Sequence, residues 1–204
     1  MTTTAPTSTT APLSGKVALI TGSTSGIGAA TAAVLAERGA HVLVSGRDAV
    51  RGETVAARIH EQGGKADFLP ADLGDADAVL DLARRATTAG GGQVDILVNN
   101  TGIFPFGDAD AVLDLARRAT TAGGGQVDTL VKNTGIFPFG PTDQATVDVI
   151  DQVHAVNVRA PFLLVGALAP GMAERGFGAI VNVTRMVAEF GMAGMALYGR
   201  ARRR

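Results

Sequence analysis

The 204-residue sequence predicts an α/β fold, a parallel sheet doubly wound by helices on both of its faces. Two observations carry that expectation. From Lys16 onward, short apolar runs alternate with amphipathic stretches, the pattern of parallel strands joined by crossover helices. A glycine-rich turn also stands between the first apolar run and the first helical pattern, as it does in a strand–turn–helix unit.

The opening MTTTAPTSTTAPLSG is rich in Thr, Ser, Ala and Pro and has neither a basic start nor an apolar segment. Residues 1–14 therefore read as a disordered tail rather than a signal peptide, and residues 15–204 as one domain. The strand candidates are Val17 to Ile20, Val42 to Val44, Asp67 to Leu69, Asp95 to Val98 and Ala179 to Val183. The first helix places Ile27, Thr31, Val34 and Leu35 near a 3.6-residue period and stops at Gly39. The second comes after Asp48, an N-cap residue type, and runs to the Gly63-Gly64 break. A long apolar-faced region from Ala145 to Glu174 contains Pro161 and Pro170, which are expected to kink or divide it.

One stretch occurs twice. DADAVLDLARRATTAGGGQVDILVNNTGIFPFG begins at Asp75 and returns almost unchanged from Asp108, 33 residues later. Only Ile96 against Thr129 and Asn99 against Lys132 differ. A solenoid needs at least three stacked units, so a tandem duplication of 75–107 as 108–140 is the better reading. It doubles one helix-plus-strand unit. Copy one is expected to take the slot beside the first strand, because Thr129 and Lys132 suit a buried strand less well, and the opposite choice stays open. Copy two must then bulge out or insert as an extra strand before Ala179, moving that later strand by about 4.8 Å.

Composition excludes several functions. The formal net charge is −1 and aromatics are 4%, so neither an electrostatic surface for nucleic acid nor a base-stacking platform is expected. Cysteine is absent, which removes disulfides, thiolate catalysis and Cys-based metal sites, and fits a reducing, cytoplasmic setting. No apolar run is expected to span a bilayer, and no metal site is expected.

The turn LITGSTSGIG places Gly22, Gly26 and Gly28 at the opening of the first helix. Glycines let backbone approach a diphosphate, and free N–H groups with the helix dipole supply positive potential there. With TGSTSGIG (21–28), ADL (71–73), NNTG (99–102), AVNV around Asn157, GAIVNV and Tyr198, the chain resembles the short-chain dehydrogenase/reductase family. The resemblance implies a Rossmann-like sheet, here incomplete at its C-terminal edge, and hydride transfer between NAD(H) or NADP(H) and a carbonyl or alcohol. It implies cofactor contacts at Thr21, Gly22, Ser23, Ser25, Gly26, Ile27 and Gly28, at Asp72 and Leu73, and at Asn100 and Gly102. Asp72 could equally be the N-cap of the following helix. After the second strand this chain has Gly46-Arg47, with Arg51 one turn on, where an acidic residue would accept bonds from the adenosine ribose. A guanidinium pairs with a 2′-phosphate, so NADP(H) is favoured over NAD(H); the other reading is a solvated surface charge.

The same resemblance makes Tyr198 the general acid or base and Asn157 the holder of a relay water. It expects a lysine four residues after the tyrosine, where this chain has Arg202, and a serine thirteen before it, where this chain has Arg185. Thr184 is the adjacent hydroxyl and is expected to point to the other face. Arginine keeps the charge, but its planar fork is no substitute for an ammonium, and at 185 it offers no acceptor. Beyond Tyr198 the family has more helix and further strands, whereas four of the last five residues here are arginine. A reading-frame change shortly after Gly199 is the expectation drawn from that ending. The last strand should then form a sheet edge, and the family's homo-oligomer interface is in question. Three readings stay open: an NADP-dependent oxidoreductase acting on a small carbonyl or alcohol, a catalytically impaired nucleotide-binding remnant, and an interaction module that reuses the fold.

Overall fold

The computed structural model describes residues 11–73, 75–100, 126–184 and 192–202. Six strands form one all-parallel sheet in the order β3-β2-β1-β4-β5-β6. They are β1 (Val17–Thr21), β2 (His41–Gly46), β3 (Lys65–Pro70), β4 (Ile96–Asn99), β5 (Thr129–Lys132) and β6 (Ala179–Asn182). Each lies within two residues of its sequence-predicted bounds, except that β5 belongs to the second copy. The helices are α1 (Gly26–Glu37), α2 (Ala49–Glu61), α3 (Ala76–Ala89), α4 (Val147–His154), α5 (Ala160–Arg175) and α6 (Ala196–Arg202), with a π-helical segment at Ala155–Arg159.

Alternation along the central strands builds two cores, because successive side chains point to opposite faces of the sheet. Val17, Leu19, Leu43, Leu97 and Leu130 pack with Val79 and Leu82 of α3 and Leu164, Leu168 and Met172 of α5. Ala18, Ile20, Val42, Val44, Ile96 and Val98 pack with Ala29, Ala32 and Ala36 of α1 and Val55, Ala56 and Ile59 of α2. Small residues on α1 bring that helix close to the sheet where the glycine turn begins.

Local sequence explains most helix ends. Asp48 caps α2, accepting from the Arg51 N–H at 3.0 Å. Asp75, not Asp72, caps α3, accepting from the N–H groups of Asp77 and Ala78. The capping alternative for Asp72 is thereby corrected. Gly39, at φ 93°, lies just beyond the end of α1. Ala11 to Ser14, assigned to the tail by composition, form a turn tied to the end of α1 through Leu13 N–H to the Arg38 carbonyl. Residues 1–10 lie outside the described residues.

Of the two prolines expected to kink or divide the long region, neither interrupts it, and the helix type changes just before Pro161. The long helical region changes at the π segment, and Pro170 sits inside α5, where it does not divide the helix. A proline at 161 lacks its N–H and its ring crowds the carbonyl four residues back, so a wider turn just before it relieves both demands. Val147–Arg175 is therefore continuous and, with one 18-residue window reaching a mean hydropathy of 1.3, long and apolar enough by length and composition alone to cross a membrane, which corrects the expectation drawn from run length. In this fold its apolar face lies on the sheet.

Copy one does take the slot beside β1, and copy two is inserted as an extra strand. The two copies pair in self-register: Ile96 opposite Thr129, Leu97 opposite Leu130, Val98 opposite Val131, Asn99 opposite Lys132. β4 is buried throughout, β5 fully only at Leu130, and β6 is exposed at all four residues, with Val181 45% exposed at the described sheet edge. At the other end of these strands, Lys16 Nζ donates to both Asp95 (2.8 Å) and its duplicate Asp128 (3.0 Å). Asp95 also accepts from the Val17 N–H at 2.8 Å.

These two carboxylates hold the Lys16 ammonium above its ordinary value of 10.5. The ion pair is therefore complete below that ordinary value and is lost as pH rises through the raised one. Asp95→Ala is expected to cost about 1–2 kcal/mol, since it strips a buried acceptor from the Val17 N–H and one partner from an ammonium that is 41% exposed and keeps Asp128. Urea unfolding of parent and variant checks this at pH 7, and the gap between them should narrow above the lysine's raised value.

Candidate functional site

The turn after β1 needs glycine at two points. Gly22 and Gly26 have φ of 63° and 56°, left-handed values that cost a side chain strain. Gly28 is required for space instead: a Cβ there would meet Asn100 Nδ2 and the Gly22 carbonyl oxygen at 2.5 Å and Ser23 Cα at 2.8 Å. Ser25 stands before α1 in extended backbone and makes no side-chain cap, so no side chain at this position covers the first-turn N–H groups.

Polar side chains fix this turn from beneath. Ser23 is buried; its hydroxyl donates to the Ile20 carbonyl (2.6 Å) and accepts from the Ser45 N–H (2.9 Å). Asn100 Nδ2 donates to the carbonyls of Thr21 (3.2 Å) and Gly22 (3.1 Å), and the Asn100 N–H donates to Thr21 Oγ1 (3.0 Å). Asn100 of copy one thus lies directly under the glycine turn.

Above it opens a cleft of about 240 Å³ lined by Gly22, Thr24, Ser25, Gly46, Arg47, Asp48, Arg51, Ala71, Asp72, Leu73 and Asn100. Of the sequence-predicted contacts it brings together Gly22, Ser25, Arg47, Asp72, Leu73 and Asn100. Ile27 is exposed on α1, and Thr21 and Ser23 lie buried below the turn. Gly102 lies outside the described residues. Thr24 was missed; its methyl lies 2.7 Å from where a Gly46 Cβ would be, so Gly46 leaves it room. Arg51 pairs with Asp48 at 2.7 Å, and its backbone N–H and guanidinium hold that carboxyl below the usual range. A wider hollow of about 550 Å³ between the C-terminal ends of α1 and α2 presents Glu37 and Gln62 but none of the candidate residues.

The other half of the candidate set lies with copy two. Asn157, buried in the π segment, clamps the backbone of Ile136: its Oδ1 accepts from the N–H (2.9 Å) and its Nδ2 donates to the carbonyl (2.8 Å). Tyr198 in α6 is 3% exposed, clusters with Met195, and meets Phe137 edge-on with ring centroids 5.9 Å apart. The backbone joins the same two segments, Gly140 N–H donating to the Gly194 carbonyl at 2.9 Å. Thr184 is exposed after β6. Arg185 lies outside the described residues, as does the side chain of Arg202, whose backbone ends α6.

So the strand ends under the glycine turn and the segment against Tyr198 are different copies of one sequence. Between them runs a polar seam: Asn133 Nδ2 donates to Asn100 Oδ1 (2.6 Å) and Thr134 Oγ1 to Asn99 Oδ1 (2.8 Å). Reading the residues alone did not single out Asn133, Ile136 or Phe137. The repeat was the available signal, because Asn133 is the duplicate of Asn100.

Comparison with known proteins agrees with this geometry. The family model described as short chain dehydrogenase matches residues 16–119 and again 107–202, the doubled match tracking the repeat. A short chain dehydrogenase of Pseudocercospora fijiensis is 35% identical over 176 residues, covering 86% of this chain and 47% of that protein. An uncharacterized oxidoreductase of Thermotoga maritima is 31% identical over 185 residues, covering 90% of this chain and 59% of its own length. The chain thus spans about half the length of these curated relatives. Among solved structures, a metagenomic short-chain oxidoreductase in complex with NADP superposes with a TM-score of 0.63 at 30% identity, covering 93% of this chain and 71% of that one. With the glycine turn, the parallel sheet order and a family model matching most of its length, this chain belongs to the short-chain dehydrogenase family.

Proposed function

We propose that the chain binds NADP(H) in the cleft above the Gly22–Gly28 turn and that its capacity to reduce or oxidise a small carbonyl or alcohol is impaired. One observation carries the reading: the glycine turn beside the cleft is held by Asn100 of copy one, while Asn157 and Tyr198 meet Ile136 and Phe137 of copy two, with β5 standing between β4 and β6. The residues present fit a dinucleotide, since Gly22, Thr24 and Ser25 bring the turn's backbone to the cleft and the Ser25 side chain does not cap the first turn of α1.

When bound, the nicotinamide would supply or accept the hydride. The residues of this chain would do the rest. The Gly22–Gly28 amides would hold the diphosphate, Asp72 and Leu73 would bound the adenine, and Arg47 with Arg51 would neutralise a ribose phosphate. Tyr198 would exchange the proton at the carbonyl oxygen. It is buried against Phe137, and the positions where the family has lysine and serine are arginine in this sequence, neither a compact ammonium nor a hydroxyl.

Fluorescence titration tests the binding half. NADPH is expected to bind about tenfold or more tightly than NADH, and Arg47→Glu to remove that preference, since a charged hydrogen bond is worth about 1.5–3 kcal/mol. Equal affinity for both cofactors would overturn the preference. Steady NADPH consumption with a carbonyl panel would favour the second reading, a working reductase.

A further inference from the structure

We infer that Asn133, a residue of the second copy, is a positioning residue for the glycine turn, acting on it through Asn100. The inference rests on the dinucleotide reading of that turn. A side-chain amide has one accepting and one donating end. Asn100 uses its donating end on the Thr21 and Gly22 carbonyls and its accepting end on Asn133 Nδ2 at 2.6 Å. The Asn133 donor meets the accepting end and so reinforces the orientation that the two carbonyls favour at the other end. Turned over, the Asn100 amide would set its oxygen against two carbonyl oxygens, one of them on Gly22, whose left-handed backbone shapes the cradle.

Asn133 is itself held rigidly. Its backbone N–H donates to the Asn99 carbonyl at 2.9 Å, and the next residue, Thr134, is buried with its hydroxyl on Asn99 Oδ1. The self-register of the two copies brings duplicate asparagines side by side, so the inserted strand adds an outer support to the cofactor turn. A chain of polarised amides running Asn133 to Asn100 to Gly22 strengthens each link.

A double-mutant cycle on the full chain, read by NADPH titration, tests this. Asn133→Ala is expected to weaken NADPH binding about fivefold, the worth of one such hydrogen bond. In an Asn100→Ala background it should do nothing further, because its effect passes through Asn100. Asn133→Asp keeps the shape but can only accept, so it should turn the Asn100 amide and weaken binding at least as much; it serves where the alanine variant does not fold. Parental affinity in Asn133→Asp, or the same loss in both backgrounds, overturns the inference and leaves the dinucleotide reading standing. A parent chain that ignores millimolar NADPH overturns both.

Discussion

Gly28→Ala is expected to weaken NADPH binding by about tenfold while the protein stays folded. The methyl would arrive 2.5 Å from the Gly22 carbonyl oxygen and from Asn100 Nδ2 and 2.8 Å from Ser23 Cα, inside any contact that real Cβ atoms make. Two of those three atoms are backbone, and Asn100 is tied to two carbonyls, so the turn must open rather than a side chain swing aside. Overpacking of this kind costs about 1–3 kcal/mol. The turn is also where the cofactor is to be held, so part of the cost falls directly on affinity. Gly63→Ala is the matched control: its φ of +80° carries strain, but open space surrounds it and it lies away from the cleft. Titration with NADPH alongside circular dichroism separates the outcomes. A folded Gly28→Ala chain that binds within a few fold of the parent would show that no diphosphate rests on this turn.

Deleting residues 108–140 is expected to keep NADPH binding within a few fold of the parent and to bring Tyr198 closer to the nicotinamide. The junction is benign, since Gly107 and Gly140 end identical segments and either can precede Pro141. Copy one already supplies the strand beside β1 and Asn100 beneath the turn, at most losing the support of Asn133. With β5 gone, β6 can pair with β4, and the Ile103 backbone becomes the partner for Asn157 that Ile136 is now. β6 and the α6 segment beyond it then move toward β1 by one strand spacing, about 4.8 Å. The chain has one tyrosine and no tryptophan, so its emission reports Tyr198 alone. Quenching of that emission by saturating NADPH should be clearly deeper in the deletion chain. Equal quenching would mean that the inserted strand does not separate the two halves of the site. Because catalytic geometry tolerates about 1 Å, a shift of one strand spacing is large on the scale that governs hydride transfer.

Much of the fold was legible because it is written in local chemistry. Unbroken apolar runs such as VALI are what a strand buried on both faces requires, and Gly22 and Gly26 mark left-handed backbone that other residues resist. The placement of copy one beside β1 was legible too, through the mismatch of Thr129 and Lys132 with a buried strand. Other features were not. The burial of Tyr198 against Phe137 and the grip of Asn157 on the Ile136 backbone depend on neighbours distant in sequence.

The sequence by itself determined the strand–turn–helix unit, the glycine cradle and the family, because spacing and residue type suffice for contacts made within about thirty residues. Only the tertiary structure decided that the segment meeting Asn157 and Tyr198 is the second copy's, because Ile136 and Phe137 repeat Ile103 and Phe104 and local chemistry cannot tell them apart; pairing does, where β1 takes Ile96–Asn99 and Thr129–Lys132 becomes the next strand.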